Sequence, residues 1–474
     1  MKGTLSVALV AAWSGSALAD DPVATSGTGT SDDTVPLPQS SKDEPPRPPS
    51  RTQPIFDAAT LERIVDARVD AEIRAQPPTS GWNDGFFVQT KDGGTRLTIG
   101  GYTQFDGRFF APESSDPKVD QFGFRSIRPD LGGTVFEHYD FRLLTDFAGS
   151  KLTLQDAYVD IHYGDAAVLR LGKTKTPFGL ERLQRDIATT FVERGLPSLL
   201  TPNRDLGVQL YGSLARGIVN YQVGIYNGVA DNATGDGDVS NGKEGVARLF
   251  IKPFATTDSL AKEFGFGGAA TYGDRTGTLA DPEVALYKTQ GQTTFFQYKT
   301  GTDLTNTVIA DGVQWRATGQ ADWYAGPFGA LAEYVRSTQH VALDGTHTEV
   351  SADSWQVLGQ WVLTGDAASF KSVSPVHPFD PAKGQWGAFD IAARVGELRL
   401  LDGAAFDAKV ADPTKSSLRA WSAGGGVDWF PNKNFRFVFD VERTWFRFGA
   451  KDTDGMTINR APETSFVGRA QTVF

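Results

Sequence analysis

The chain has no cysteine and only five histidines and two methionines among its 474 residues. Without thiols it cannot build a disulfide scaffold, a thiolate zinc site, an iron–sulfur cluster or a cysteine nucleophile. No apolar run reaches the roughly 18 residues that a membrane-crossing helix needs. With a mean hydropathy of −0.29, that excludes a helical membrane protein. Positive charge is also short, because 46 Lys and Arg face 57 Asp and Glu, a formal charge of −11. Such a balance argues against nucleic acid as a partner, since no broad basic face is left to neutralise phosphates. What the chain does have is 52 Gly, 32 Phe and 40% hydrophobic residues. Two classes survive: a large soluble β-rich protein, or a membrane barrel whose alternating strands average out in hydropathy.

The amino end reads as targeting. Met1-Lys2 is a short charged start, Thr4–Leu18 is apolar or small, and Ala17-Leu18-Ala19 fits a small-x-small cleavage site. Residues 1–19 are therefore expected to be a signal peptide. Residues 20–54 are rich in Asp, Ser, Thr, Gly and Pro, too polar to bury a core, and read as a disordered Pro-rich spacer. A short coiled-coil-like helix is expected over 55–76, capped by Asp57 and closed by Pro77-Pro78. Its stripe of Leu61, Ile64, Val65, Val69 and Ile73 suits oligomerisation; a marginal helix lying on a barrel rim is the alternative.

From residue 81 the hydrophobic period is two. Leu97, Ile99, Phe105 and Phe109 share one face, against Arg96, Tyr102, Gln104, Asp106 and Arg108 on the other. Tyr139–Phe147, Val219–Tyr226 and Phe435–Glu442 repeat the pattern, which is that of strand rather than helix. Charges of both signs on the polar face fit a water-filled lumen. Aromatics near segment ends (Trp82, Tyr163, Trp323, Trp361, Trp429 and Trp445) fit interfacial girdles. The expected strands are 95–109, 124–136, 138–147, 153–163, 168–174, 206–213, 218–227 and 245–252. A second set follows at 263–273, 312–325, 328–337, 353–364, 386–397, 417–430, 433–445 and 464–474. The fold class is thus all-β, a transmembrane antiparallel β-barrel of about 16 strands over 81–474 with a short N-terminal helix.

Connections alternate in length. Those near 137, 164–167, 214–217 and 326–327 are tight, whereas 111–123, 175–205, 228–244, 274–311 and 338–352 are long. Barrels of this class pair short periplasmic turns with long outer loops. Gly365–Gln385 is long but falls on the short-turn side, so either it folds into the channel or the strand count slips there. The chain ends Gln471-Thr472-Val473-Phe474, a strand with an aromatic terminal residue as outer-membrane barrels present.

These stretches resemble the phosphate-selective porin O and P family. The likeness is carried by FRSIRPDLGGTVFEHYDFRLLTDFA at 124–148, LRLGKTKTPFGLE at 169–181, and the ERG and NRDLGVQL of 191–210. WVLTGDAASF at 361–370, WGAFDIAARV at 386–395, GGGVDWFPNKNFRFVFD at 424–440 and the final RAQTVF continue it in order. The resemblance implies a trimeric outer-membrane channel whose inward-folded segments line a narrow zone with Arg and Lys, passing phosphate or similar oxyanions. At one place the chain departs from the family: Arg125 is followed by Ser126 where a doubled arginine is usual.

A channel selects by the charges at its narrow zone, not by net charge. Arg outnumbers Lys 28 to 18, and its planar fork suits phosphate or carboxylate oxygens. Alternation turns Arg128, Arg142 and Arg394 toward the lumen, while Lys173, Lys175, Arg182, Arg185, Arg194 and Arg204 flank or lie in the 176–205 link. These nine are the candidate anion-contacting residues of the constriction. Neighbouring Asp140, Asp146, Asp156, Asp160, Glu181, Asp186, Glu193 and Asp205 offer the alternative that the arginines sit in rigid salt-bridge networks. The five His lack metal spacing, the Gly-Gly pairs are followed by no helix, and no nucleophile motif is visible, so no enzyme, cofactor or metal is expected. The acidic 231–244 stretch departs from calcium-loop spacing and reads as a solvated loop. The expected partners are outer-membrane lipid, small anionic solutes, two further copies in a homotrimer, and cell wall through the N-terminal segment. A general or carbohydrate-type porin and an envelope-tethering barrel remain the alternatives.

Overall fold

The computed structural model describes residues 58–75, 77–112, 118–238, 240–401, 403–448 and 460–474. The leader, the Pro-rich spacer and the Asp57 cap lie outside the described residues. Helix α1 spans Ala58–Ala75, and Ile64, Val65 and Val69 of its expected stripe are exposed.

Sixteen antiparallel strands close into a barrel. A short hairpin, β1 (Thr79–Trp82) and β2 (Phe86–Gln89), precedes the wall. The wall begins with β3 (Arg96–Phe110), β4 (Gln121–Val135), β5 (Tyr139–Asp146), β6 (Thr153–His162) and β7 (Val168–Lys175). It continues as β8 (Arg204–Leu214), β9 (Val219–Tyr226), β10 (Glu244–Ile251) and β11 (Gly265–Thr276). A separate hairpin of β12 (Leu286–Lys288) and β13 (Thr294–Gln297) interrupts it. The remaining wall strands are β14 (Ile309–Ala325), β15 (Phe328–Leu343), β16 (Thr346–Val362), β17 (Ala388–Leu400), β18 (Arg419–Asn432), β19 (Phe435–Arg447) and β20 (Glu463–Val473). Each pairs with its neighbour in sequence, and β20 closes on β3 with Val473 opposite Tyr102. The terminal Phe474 is tied into this seam, exchanging backbone hydrogen bonds of 2.7 and 2.9 Å with Gly101.

The expected two-residue period sorts the faces. Leu97, Ile99, Phe105 and Phe109 point outward and are exposed, whereas Tyr102, Gln104, Asp106 and Arg108 are buried inside. Each apolar side chain moved from water into hydrocarbon stabilises the arrangement by roughly 1.5–3 kcal/mol. A one-residue slip would exchange the two sets, so register is fixed by the same pattern. Aromatics gather at both ends of the outer face. At the end holding Phe474, Phe328 stacks on Trp361, and Trp429 on Phe389 and Phe437. Toward the opposite end lie Tyr334, Trp355, Trp421 and Trp445, with ring centroids of the last two 4.7 Å apart.

One connection differs from expectation, and a second takes one of its two expected courses. The link expected over 338–352 is a strand hairpin, because β15 runs on to Leu343 and β16 starts at Thr346. Asp344 and Gly345 turn the corner with φ of 50° and 71°, the two positive values that a tight twisted hairpin requires. The 363–387 link does lie at the Phe474 end, so the strand count holds, and it folds inward. Its Ala368 and Val373 pack with Tyr324, Val362, Ala388 and Phe430, and the backbone N–H of Ala368 donates to Gly326 O.

Much of the lumen is filled. At the end opposite Phe474, Phe295, Phe296 and Tyr287 of the β12–β13 region pack with Leu398 and Leu400 of β17. Phe178, Leu196 and Leu200, and Ala405 of the short helix α2 (Ala404–Asp407), join that cluster. Three open clefts lie along β3–β10, the last of them reaching β14 and the 363–387 link.

Candidate functional site

Residues 176–203, between β7 and β8, cross the barrel interior. Ile187 packs on Tyr102 and Leu144 at one wall, and Val192 on Val438 and Val467 at another. Leu180 and Phe191 meet Phe250, Leu331 and Leu358 on a third. A buried segment must satisfy its own backbone groups, and here the wall does so. Glu333 accepts from the N–H of Leu180 at 2.5 Å, and Asp440 from that of Val192 at 2.6 Å. Arg436 donates to the carbonyls of Thr189 and Thr190 at 2.7 Å each, and Gln471 to that of Ile187 at 3.1 Å. From the Phe474 end, the inward 363–387 link braces the same segment, because Gln184 donates to Phe370 O at 2.9 Å.

Asp186 is the electrostatic centre of this crossing. Arg194 lies 2.7 Å from its carboxylate, Lys175 3.4 Å and Arg204 3.7 Å, and Arg128 and the Tyr102 hydroxyl also contact it. Burial alone would raise its pKa, but Lys175, Arg194, Arg204 and Arg128 together hold it well below the usual carboxylate range. Glu193, also largely withdrawn from water, is kept low by Arg125 and Arg108 against the upward pull of desolvation.

Beside Asp186 lies a cleft of about 180 Å³ whose charged lining is Arg142, Arg170, Lys175, Arg185 and Arg204 with Asp156 and Asp186. A second cleft of about 450 Å³ shares Tyr102, Arg142, Tyr158 and Arg185 and reaches Arg96 and Phe474. The third, about 1220 Å³, opens toward the 363–387 link and is lined by Tyr211, Arg248, Asp322 and Lys371 among others. Cations dominate the first cleft; in the second and third, carboxylates balance or exceed them.

The nine candidate residues divide by surroundings. Lys175, Arg185, Arg204 and Arg142 line the first cleft. Arg142 holds Asp130 at 2.7 Å and Asp156 at 3.2 Å, and Arg204 holds Asp156 at 2.8 Å. Arg185 is exposed in the lumen and has no ion pair among the described residues. Arg128, clamped to Asp146 at 2.6 Å, and Arg194, bonded to Asp186 and to the carbonyls of Glu181 and Gln184, sit behind the cleft surface. Arg182 is buried on Thr201, Ser198 O and Asn232. Arg394 is buried on Glu442 at 2.8 Å and Glu193 O at 2.9 Å. Lys173 is buried and paired with Asp236.

Three further contributors lie outside the nine candidate residues. Asp186, one acid among Arg182, Arg185 and Arg194, is the shared counter-ion. Arg170, paired with Asp160 at 2.7 Å, stacks over Tyr158 at 3.8 Å and lies 5.1 Å from the Tyr211 ring. The 231–244 segment is not a solvated loop at its ends: Asp231 and Glu244 are buried and hold Arg316 at 2.6 and 2.5 Å.

A closed sixteen-stranded wall, outward aromatic bands and an inward-folded crossing segment define the porin class of diffusion channels, which are not enzymes. The chain belongs to the family described as phosphate-selective porin O and P, matched over residues 97–454. No curated protein sequence matches it. Among solved structures, it is similar to the outer membrane channel DcaP of Acinetobacter baumannii, with TM-score 0.51 and 13% identity over 82% of this chain and 99% of that one. It is also similar to OmpT of Vibrio cholerae, with TM-score 0.50 and 11% identity over 80% and 98% of the two chains. An anion-selective porin from Comamonas acidovorans gives TM-score 0.50 at 10% identity, over 80% of this chain and all of that one. At these identities the likeness is one of fold. Family and fold together place the chain among outer-membrane porins.

Proposed function

We propose that this porin passes small anions by passive diffusion, phosphate and related oxyanions foremost, as a homotrimer formed after loss of residues 1–19. The observation that carries the reading is the cleft beside Asp186, where five cations and two carboxylates line one space inside the barrel. An anion shedding part of its water there meets Arg142, Arg170, Lys175, Arg185 and Arg204 in turn. Each is held by a fixed partner or stands free, so each contact is weak enough to release the ion. Arg185, with no ion pair among the described residues, is the guanidinium best able to take an oxyanion fork-on. The end holding Phe474 faces the periplasm and the end with the 111–120, 227–243 and 277–308 links faces outward, following the length rule of such barrels. Helix α1, with exposed Ile64, Val65 and Val69, supplies an oligomerisation or cell-wall contact.

A general diffusion porin is favoured by the pairing of three of the five cleft cations, Arg142, Arg170 and Arg204, with Asp130, Asp156 and Asp160. Single-pore chloride current in the presence of added phosphate separates the two readings. Phosphate entering the cleft lowers the chloride current in a concentration-dependent way; an unchanged current removes the oxyanion reading and leaves the general one.

A further inference from the structure

The outer wall carries a row of arginines that no permeating solute can reach. Along one line across five successive strands, Arg336 of β15 pairs in register with Asp353 of β16. Asp353 in turn is opposite Arg399 of β17, Arg399 is opposite Arg419 of β18, and Arg419 is opposite Arg447 of β19. Their faces are set by neighbours: Val335, Leu398 and Ala420 of the same strands are buried in the interior cluster, so the residues next to them point outward. The adjacent row toward the middle of the wall reads Tyr334, Trp355, Glu397, Trp421 and Trp445.

Three arginines side by side on neighbouring strands, about 4.8 Å apart, repel one another and need anions. Asp353 takes Arg399 at 2.7 Å, and Glu397 takes Arg419. Both arginine side chains stay about half exposed, at 54% and 47%. Arg447 is exposed and has no ion pair among the described residues. Arg336 lies over the outward Trp315 ring at 5.8 Å. Aromatic belts mark the boundary between hydrocarbon and headgroups. The arginine row lies two residues beyond the aromatic row on the same face, about 7 Å further along the strands, and so on its headgroup side, where phosphates are.

We propose that the Arg399–Arg419–Arg447 row is a docking site for the phosphorylated headgroup of an outer-leaflet glycolipid. Its geometry suits that ligand: guanidinium forks grip phosphate oxygens in pairs, and the aromatic row beneath lies along the lipid's acyl base. The opposite faces of these strands are packed on the apolar interior cluster, so the row serves the membrane side alone. The leaflet named here rests on the orientation proposed above.

The test is lipid retention by the full-length protein in detergent, read by native mass spectrometry. The probes are the bisphosphorylated glucosamine lipid that anchors lipopolysaccharide and the same lipid stripped of phosphate. Wild type retains the first, and the combined Arg399→Gln, Arg419→Gln and Arg447→Gln variant binds it about a hundredfold more weakly. Equal binding by variant and wild type overturns the proposal, as does equal retention of the stripped lipid or displacement by inorganic phosphate at the lipid's own concentration. If the triple variant does not fold, Arg447→Gln alone, which breaks no ion pair among the described residues, is expected to lose about fivefold, and no loss overturns the site. Thr346→Cys, the sole thiol in the chain, reads orientation separately through a membrane-impermeant maleimide on intact cells. Labelling without phosphate-dependent retention overturns the docking site alone; absence of labelling overturns the leaflet assigned to it.

Discussion

Replacing Asp186 by Asn removes the one carboxylate shared by Lys175, Arg128, Arg194 and Arg204 without changing side-chain shape. Two effects follow from the same geometry. The four cations lose their common counter-ion inside a packed crossing, and removing one partner of a buried ion cluster costs roughly 3–5 kcal/mol. The cleft also becomes one unit more positive. At 4 Å in water a unit charge is worth about 1 kcal/mol to a passing ion, so the anion-to-cation permeability ratio rises at least about fivefold. Asp186→Asn should therefore unfold at lower temperature, followed by the heat-dependent shift in gel mobility, while its bilayer reversal potential moves further toward anion preference. The pH dependence has a definite sign. Because the folded pKa of Asp186 is depressed, its stabilisation is fully present above the ordinary carboxylate value and is lost only as pH falls through the lower folded value. The stability gap between variant and wild type should thus persist down to about pH 4 and close only in stronger acid. A variant as stable as wild type, with an unchanged reversal potential, would refute the placement of this carboxylate at the centre of the crossing.

Arg185→Glu reverses the cleft's free cation and should cut anion preference severalfold, at about 1 kcal/mol per unit charge, with the melting transition unchanged; reversal potentials and gel mobility read the two halves. Gly345→Val forces a β-branched residue to a φ of 71° at the β15–β16 hairpin and should cost about 1–3 kcal/mol, seen as a lower transition temperature with normal conductance. Phe370→Ala withdraws a half-buried ring packed against Tyr324 and against the Leu180–Phe191 cluster. It should raise open-channel current noise by loosening the brace on residues 176–203, with a stability loss below the roughly 3 kcal/mol of a fully buried phenylalanine.

The wall was legible because its chemistry is local: hydrocarbon on one side and water on the other impose a period of two that each strand displays by itself. Asp344-Gly345 was an equally local signal, but Thr338, Gln339 and His340 read as loop because their polar side chains belong to long strands projecting past the membrane. The β12–β13 hairpin was hidden in a link rich in Gly and Thr, since its burial comes from Leu398, Leu400 and Phe178 far away in sequence. At the site, residue types could be read and pairings could not. Which arginine is free and which is clamped depends on contacts such as Tyr102 to Asp186, 84 positions apart, or Arg394 to Glu193 O, 201 apart. Arg394, turned inward by alternation, and Arg185, in the 176–205 link, were equal candidates for the constriction, yet Arg394 is sealed by Glu442 and Arg185 lines an open cleft.

On the anion-channel proposal, local basic excess, not the net charge of −11, sets what passes. Its most direct measure is the zero-current potential of the wild-type pore in a planar bilayer under a KCl gradient. A potential whose sign reports chloride as the more permeant ion is the predicted result. A potential of zero, or one reporting potassium preference, would contradict it.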